Sequence, residues 1–152
     1  LNIRAPFLLA QGLLPAMRGG AGGLHITIGS TCDHRGFPDN AAYTASKMAI
    51  EGFTGSLAHE LAAFNFHVKL VEPGYAPTTR FTSNGGSRMQ GLFPEAYAGF
   101  AEPILDSFAQ VTTVTKESDV AEAVYCAAND ASGRLRFPAG PDAVALADNA
   151  RP

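Results

Sequence analysis

Leu24-His25-Ile26-Thr27-Ile28-Gly29-Ser30 is the stretch whose reading decides the fold. The apolar run reads as a buried parallel strand. The Ser30 hydroxyl directly after it falls at the carboxyl end, where open α/β sheets bind their ligands. Thirteen residues on stands Tyr43, with Lys47 four residues later. Positions four apart share a helix face, so the phenol and the ammonium converge on one point. A phenol alone exchanges protons poorly at neutral pH, and an ammonium a few ångströms away favours its phenolate form. Together these groups describe proton transfer to or from a small oxygen.

Upstream of the strand, residues 2–18 are predicted to form a helix, with Ile3, Phe7, Ala10, Leu14 and Met17 on one stripe. Pro6 has no N–H to offer the carbonyl of Asn2, four residues before it. That either leaves Asn2 a free acceptor or marks a kink or a helix start at Pro6. Gly19-Gly20-Ala21-Gly22-Gly23 precedes a strand rather than following one, and His25 stands where a dinucleotide fingerprint needs its third glycine. It is therefore read as a helix-to-strand turn.

Downstream, a polar loop over residues 31–39 ends in Asp39-Asn40, good N-cap residues. A helix is predicted over 41–64, striped by Ala45, Ala49, Phe53, Leu57 and Leu61 as core or subunit interface. His67-Val68-Lys69-Leu70-Val71 reads as a second strand, stopped by Pro73-Gly74. Strand, helix and strand in this order predict a βαβ unit with a parallel sheet. Residues 75–110 are irregular, with short helical stretches near 94–100 and 103–108. A helix to residue 129 is expected to open on the N-cap pair Ser118-Asp119. Leu135-Arg136-Phe137 and Ala143-Val144-Ala145-Leu146 are candidates for a last edge strand and tail.

Ser30, the run Tyr43-Thr44-Ala45-Ser46-Lys47, and Pro73-Gly74 with Thr78 after it resemble the short-chain dehydrogenase/reductase family. Asn2 lies twenty-eight residues before Ser30, in register with the fourth member of that family's catalytic set. The resemblance runs from Asn2 to Arg136-Phe137-Pro138-Ala139-Gly140. It is specific because four separate elements fall in register, whereas a lone Tyr-x-x-x-Lys would be weak. It implies an α/β fold with a Rossmann-like doubly wound parallel sheet. It also implies an oxidoreductase that uses NAD or NADP to interconvert an alcohol and a ketone or aldehyde by hydride transfer.

The same resemblance implies roles. Tyr43 would be the general acid/base, and Ser30 would donate a hydrogen bond to the reacting oxygen. Lys47 would act on the phenol and on the nicotinamide ribose, and Asn2 would hold a water through its backbone carbonyl. Tyr43, Lys47, Pro73, Gly74, Ala76 and Thr78 would contact the cofactor, Gly74 by letting the backbone approach the nicotinamide. Ala76-Pro77 departs from the branched apolar residue usual at that place in the family, which touches the carboxamide contacts. The loop over about 75–110 would cover the substrate. Phe81, Phe93, Tyr97 and Phe100 either line an apolar pocket there or pack within the loop itself.

The family's first βαβ half has no counterpart here, neither its glycine-rich turn nor the acidic residue near its second strand. Residues 1–152 accordingly read as the C-terminal part of one such domain, without its cofactor-binding half and inactive alone. The choice between NAD and NADP is set in that half. Members of the family pair through the helices represented here by residues 2–18 and 41–64, implying a dimer or tetramer of the full-length protein.

The bulk numbers narrow the alternatives. A chain of 152 residues holds one domain with a sizeable core. Its 46% hydrophobic and 16% charged content suits a globular α/β protein, and a net charge of -3 with no basic stripe argues against nucleic acid or an anionic membrane surface. No apolar run approaches the ~18 residues of a membrane span. Residues 5–14 lack the basic leader and cleavage site of a signal peptide. Cys32 and Cys126 make neither a disulfide framework nor a zinc site, so a reducing cytoplasm is expected. Cys32 is read as a small filler rather than a redox group, although it lies near the site mouth.

Rival chemistries fail on residues. His59-Glu60-Leu61-Ala62-Ala63 opens like a zincin motif but ends in alanine, and His25, His34 and His67 lack ligand spacing. Ser30 has no G-x-S-x-G frame. Extended relatives that epimerise or dehydrate sugar nucleotides share Tyr-x-x-x-Lys, but the short tail after Pro73-Gly74 favours the shorter branch. The competing class is a non-catalytic relative that uses the fold as a binding scaffold. Such a protein would be expected to lose Tyr43 or Lys47 first, and both are present.

Overall fold

Residues 66–73 form the central strand of a three-stranded parallel sheet. The computed structural model describes residues 2–33, 36, 38, 40–81, 83, 84, 91 and 94–149; Asp39, His34 and Phe93 lie outside the described residues. The elements in chain order are α1 (Arg4–Arg18), β1 (Gly23–Ile28), a 3-10 turn (Thr31–Asp33), α2 (Ala41–Ala62) and β2 (Phe66–Pro73). A second 3-10 turn (Glu95–Tyr97), α3 (Ala98–Ala109), α4 (Glu117–Asn129), β3 (Arg136–Ala139) and α5 (Pro141–Asn149) follow. β1 pairs with β2 from Gly23 opposite Phe66 to Ile28 opposite Val71, and β2 pairs with β3 from Leu70 opposite Arg136 to Pro73 opposite Ala139. This is a mixed α/β architecture of the Rossmann-like kind, the strands alternating with helices.

Side-chain alternation along β2 builds a core on each face. Phe66 and Val68 pack with Ala10 of α1 and Leu57 and Leu61 of α2. Val71 packs on the other face with Phe137 and Ala139 of β3 and Ala123 and Ala127 of α4. Two charges are carried inside the same strand. Lys69 is 1% exposed and donates to Asp130 Oδ1 and to the Arg134 carbonyl, both at 2.8 Å, with its ammonium over the Phe137 ring. Glu72 is 0% exposed and faces Arg136 Nε at 3.5 Å, while the same guanidinium also binds Glu51 of α2. Burial of an ion is tolerated only with such partners.

Several expected details are corrected. In α1, Ala10 is buried and Leu14 and Met17 pack on the core, but Ile3 and Phe7 are exposed beside Leu9 and Leu13. The buried stripe of α2 runs through Thr44, Ile50, Thr54, Leu57 and Leu61, and Ala45 is exposed. Asn40 sits at the N-cap of α2, yet its side chain donates to the Pro38 carbonyl. The N-cap of α4 is Lys116, and Asp119 reaches back to accept the Lys116 N–H at 2.8 Å, the second half of a capping box. Pro6 falls in the first turn of α1, where a missing N–H costs nothing, and the proline in the helix interior is Pro15.

Residues 98–109 make one helix despite Pro103. Residues 143–146 belong to helix α5, not to a strand or tail. Pro141 at its first position and Asp142 in its first turn are good helix-opening residues, and alanine-rich sequence favours helix over strand. Among the described residues, no helix is long and apolar enough to cross a membrane.

Candidate active site

Ser30 and Lys47 meet at the carboxyl end of β1. The strand ends at Ile28, and the Gly29 N–H continues the ladder by donating to the Val71 carbonyl at 2.8 Å. Ser30 follows, buried, and its Oγ accepts the Cys32 N–H at 3.3 Å within the 3-10 turn. The Lys47 ammonium donates to the Gly29 carbonyl at 2.9 Å and to the Ile28 carbonyl at 3.2 Å. The first turns of α2 are thereby strapped onto the strand end that carries Ser30.

Tyr43 is half-buried one helical turn before Lys47, whose ammonium lies 5.8 Å from the phenol ring centroid. Phe81 meets the same ring edge-on at 5.8 Å. Asn2 joins the group from the start of α1. Its side-chain amide donates to Ser46 Oγ at 3.1 Å, and Ser46 Oγ donates to the Tyr43 carbonyl at 2.7 Å. Asn2, Ser46, Tyr43, Lys47 and the β1 end with Ser30 thus form one connected group. Ser46 lay unnoticed inside the quoted run, because a helix serine more often back-bonds locally than bridges two elements.

Pro73 ends β2 opposite Ala139 of β3, just beyond the Val71 that pairs with Ile28, and Gly74 follows with its N–H on the Ala139 carbonyl at 3.2 Å. A Cβ at Gly74 would overlap the Asp142 carboxylate, so the fold itself requires glycine there. The Ala76 carbonyl accepts the Thr79 hydroxyl at 2.8 Å, closing a turn. The exposed Thr78 hydroxyl lies 3.3 Å from both carboxylate oxygens of Glu117, at the first position of α4. Tyr97 and Phe100 are exposed, and Tyr75 packs its ring on Phe108 of α3 at 5.5 Å.

Sequence reading missed Asp142, Thr115 and Glu117, all of which grip the segment after β2. Gly140-Pro141-Asp142 carried the available signal, since proline and an acid after glycine announce a helix start. Among the described residues, no three His, Cys, Asp or Glu side chains are grouped to hold a metal ion.

A sequence model of the family described as short chain dehydrogenase matches residues 1–88. An uncharacterized oxidoreductase of Schizosaccharomyces pombe is 27% identical over 139 residues, covering 91% of this chain and 58% of its own length. The D-xylose 1-dehydrogenase of Caulobacter vibrioides is 36% identical over 80 residues, 53% of this chain and 32% of its own. A short-chain dehydrogenase structure from Streptomyces avermitilis matches 98% of this chain and 53% of its own at a TM-score of 0.76 and 29% identity. The chain therefore spans little more than half the length of these relatives at most. With the family model matched over more than half of its residues, and a parallel α/β sheet with helices between its strands, the chain belongs to the short-chain dehydrogenase family.

Proposed function

We propose that this chain carries the proton-transfer half of an oxidoreductase that interconverts an alcohol and a ketone or aldehyde with NAD or NADP. The observation that carries the reading is the pair of hydrogen bonds from Lys47 to the Gly29 and Ile28 carbonyls, which draws the Tyr43 turn of α2 to the strand end bearing Ser30. Residues 1–152 are read as the C-terminal part of one catalytic domain, with the segment over about 75–110 as its substrate loop.

In this reading Tyr43 gives a proton to the carbonyl oxygen in reduction and takes one from the alcohol in oxidation. Ser30 donates to the same oxygen and steadies the charge that develops on it. The Lys47 ammonium favours the phenolate and offers its N–H groups to ribose hydroxyls. Asn2 steadies this helix turn through Ser46, and its backbone carbonyl holds a water. Bound nicotinamide would supply or accept the hydride.

The donor set fits the nicotinamide end of such a cofactor, with a phenol, a hydroxyl and an ammonium around one sheet edge. The peptides around Pro73, Gly74 and Ala76 would border the ring, and Thr78 would reach the carboxamide or phosphate. The pyrophosphate would need a glycine-rich turn after a strand, which these residues do not supply. The substrate is a small alcohol or carbonyl compound. The exposed Ile3, Phe7, Leu9 and Leu13 on α1 support a homo-oligomer in the whole protein.

The test is Tyr43→Phe in the whole protein that carries this chain. Turnover is expected to fall by at least about 100-fold, with dinucleotide affinity within about threefold of wild type. A Phe variant that keeps more than about a tenth of wild-type turnover would defeat the assignment.

A further inference from the structure

The carboxylate of Asp142 is built into the back of the Pro73-Gly74-Tyr75 turn. One oxygen accepts the Tyr75 N–H at 2.6 Å and the other accepts the Thr115 hydroxyl at 2.6 Å. Thr115 is 0% exposed, its Oγ also lies 2.9 Å from the Ala139 carbonyl, and its N–H donates to the Tyr75 carbonyl at 2.8 Å. Both ends of the Tyr75 residue are therefore gripped, one by Asp142 and one by the Thr115 backbone. The grip is close-fitting. A Cβ at Gly74 would strike Asp142, and a Cβ at Gly140, which has φ +100°, would strike Thr115.

The geometry points to Asp142 as a positioning residue that holds the Pro73-Gly74-Tyr75 turn in its cofactor-accepting conformation, an inference that rests on the function proposed above. Asp142 touches neither Tyr43, Ser30 nor Lys47 in the contacts described; it acts through the Tyr75 peptide. The Tyr75 N–H belongs to the first residue after the Gly74 that would border the nicotinamide. If the turn holds this shape only part of the time, the apparent affinity for the dinucleotide falls by the same fraction. The Tyr75 N–H stripped of its acceptor is unfavourable, so the turn relaxes when the carboxylate is removed.

The chemistry also says which replacement rescues. Thr115 has one hydroxyl proton and two acceptors within reach, Asp142 and the Ala139 carbonyl. In Asp142→Asn the amide oxygen still accepts from Tyr75, the amide nitrogen donates to Thr115 Oγ, and the hydroxyl turns to Ala139. The asparagine therefore satisfies every group, whereas alanine leaves the Tyr75 N–H without its acceptor and the Thr115 hydroxyl with Ala139 alone.

The experiment measures Tyr75 amide exchange with deuterium and titrates the whole protein that carries this chain with NADH and NADPH by nicotinamide fluorescence. In Asp142→Ala, exchange at Tyr75 is expected to accelerate at least about tenfold and dinucleotide affinity to weaken by about tenfold. Asp142→Asn is expected to return both to within about twofold of wild type. Thr115→Val keeps the Tyr75 acceptor but frees the carboxylate to swing, and is expected to move both readouts in the same direction by about threefold. It decides the matter should the alanine variant not fold.

Unchanged exchange in Asp142→Ala, or faster exchange with wild-type affinity, would overturn the positioning role. So would an asparagine variant as impaired as the alanine one. A wild-type protein that binds neither dinucleotide would instead sink the functional reading, and this inference with it.

Discussion

The Lys47 ammonium and the Gly29 carbonyl, 2.9 Å apart, join the helix that carries Tyr43 to the strand that delivers Ser30. The bond crosses from one secondary-structure element to the next at the point where both of their functional residues emerge. Lysine therefore has a structural task at this site as well as any catalytic one, and variants of it must be judged on both.

Lys47→Met and Ser30→Ala separate these tasks. Removing the ammonium leaves two carbonyls short of a donor and is expected to lower stability by about 1–2 kcal/mol, together with weaker dinucleotide binding and slower turnover. Ser30→Ala is expected to slow turnover strongly while leaving dinucleotide affinity unchanged, because in the proposed role its hydroxyl serves the reacting oxygen and not the dinucleotide. Thermal melts and NADH titrations of both variants decide it. Equal affinities for the two would remove the ribose role from Lys47.

Gly74→Ala is expected to destabilise by about 1–3 kcal/mol, because the new methyl group meets the Asp142 carboxylate, which its bonds to Tyr75 and Thr115 hold in place. Combined with Asp142→Ala, the same substitution should cost less than it does alone. A double-mutant cycle by denaturant melting checks this; strict additivity would mean that the two side chains do not compete for the space.

The buried Lys69 of β2 and its partner Asp130 predict an asymmetry. Lys69→Met replaces the ammonium with an apolar chain of similar length, and Asp130 keeps its bonds to Ser132; the change is expected to fall within about 1.5 kcal/mol of wild type. Asp130→Ala strands the lysine inside the protein and is expected to lower the melting temperature by more. Differential scanning calorimetry of the two variants reads the order directly. The Asp130 carboxyl is held below its ordinary value by the Lys69 hydrogen bond first and by Ser132 next. The unfolded chain thus takes up the proton first, and this contribution to stability is lost as pH falls below about 3.9.

A second pH window belongs to His25. Burial holds its imidazole below the ordinary histidine value, so the folded chain keeps the neutral ring, which lies 3.0 Å from Thr27 Oγ1. As pH falls through about 6.5 the unfolded chain protonates first, and stability drops from there downward. Melting temperatures at about pH 7.5 and about pH 5.5 should differ more for wild type than for His25→Gln. An equal difference in both proteins would place the titrating group elsewhere.

The parallel strands and the helix between the first two were legible in the sequence because Leu57, Leu61 and Val71 follow the periods of helix and strand, but Leu24 and Ile28, in the strand read as buried, are exposed. Ser30, Tyr43 and Lys47 were legible through their spacing. The inward-facing Lys69 and Glu72 were not, since nothing in a strand's alternation distinguishes a buried charge from a solvated one; only partners far along the chain, Asp130 and Arg136, reveal it. The grip of Asp142 on Tyr75 was hidden for the same reason, sixty-seven positions separating the two. The exposure of Ile3 and Phe7 escaped because a stripe specifies a shared face, not what covers it.

The unequal crossovers of the sheet carry a consequence for how this chain can change over time. β1 and β2 join across residues 29–65, of which the packed helix α2 takes 22, whereas β2 and β3 join across residues 74–135. The entropy of closing such an excursion grows only with the logarithm of its length, about 0.6 kcal/mol for each doubling. Insertions between the Thr78 turn and Glu117 are therefore tolerable to the sheet so long as Tyr75, Thr115 and Asp142 stay clasped. The clasp divides the chain into a part that must keep its length and a part whose length is free to vary.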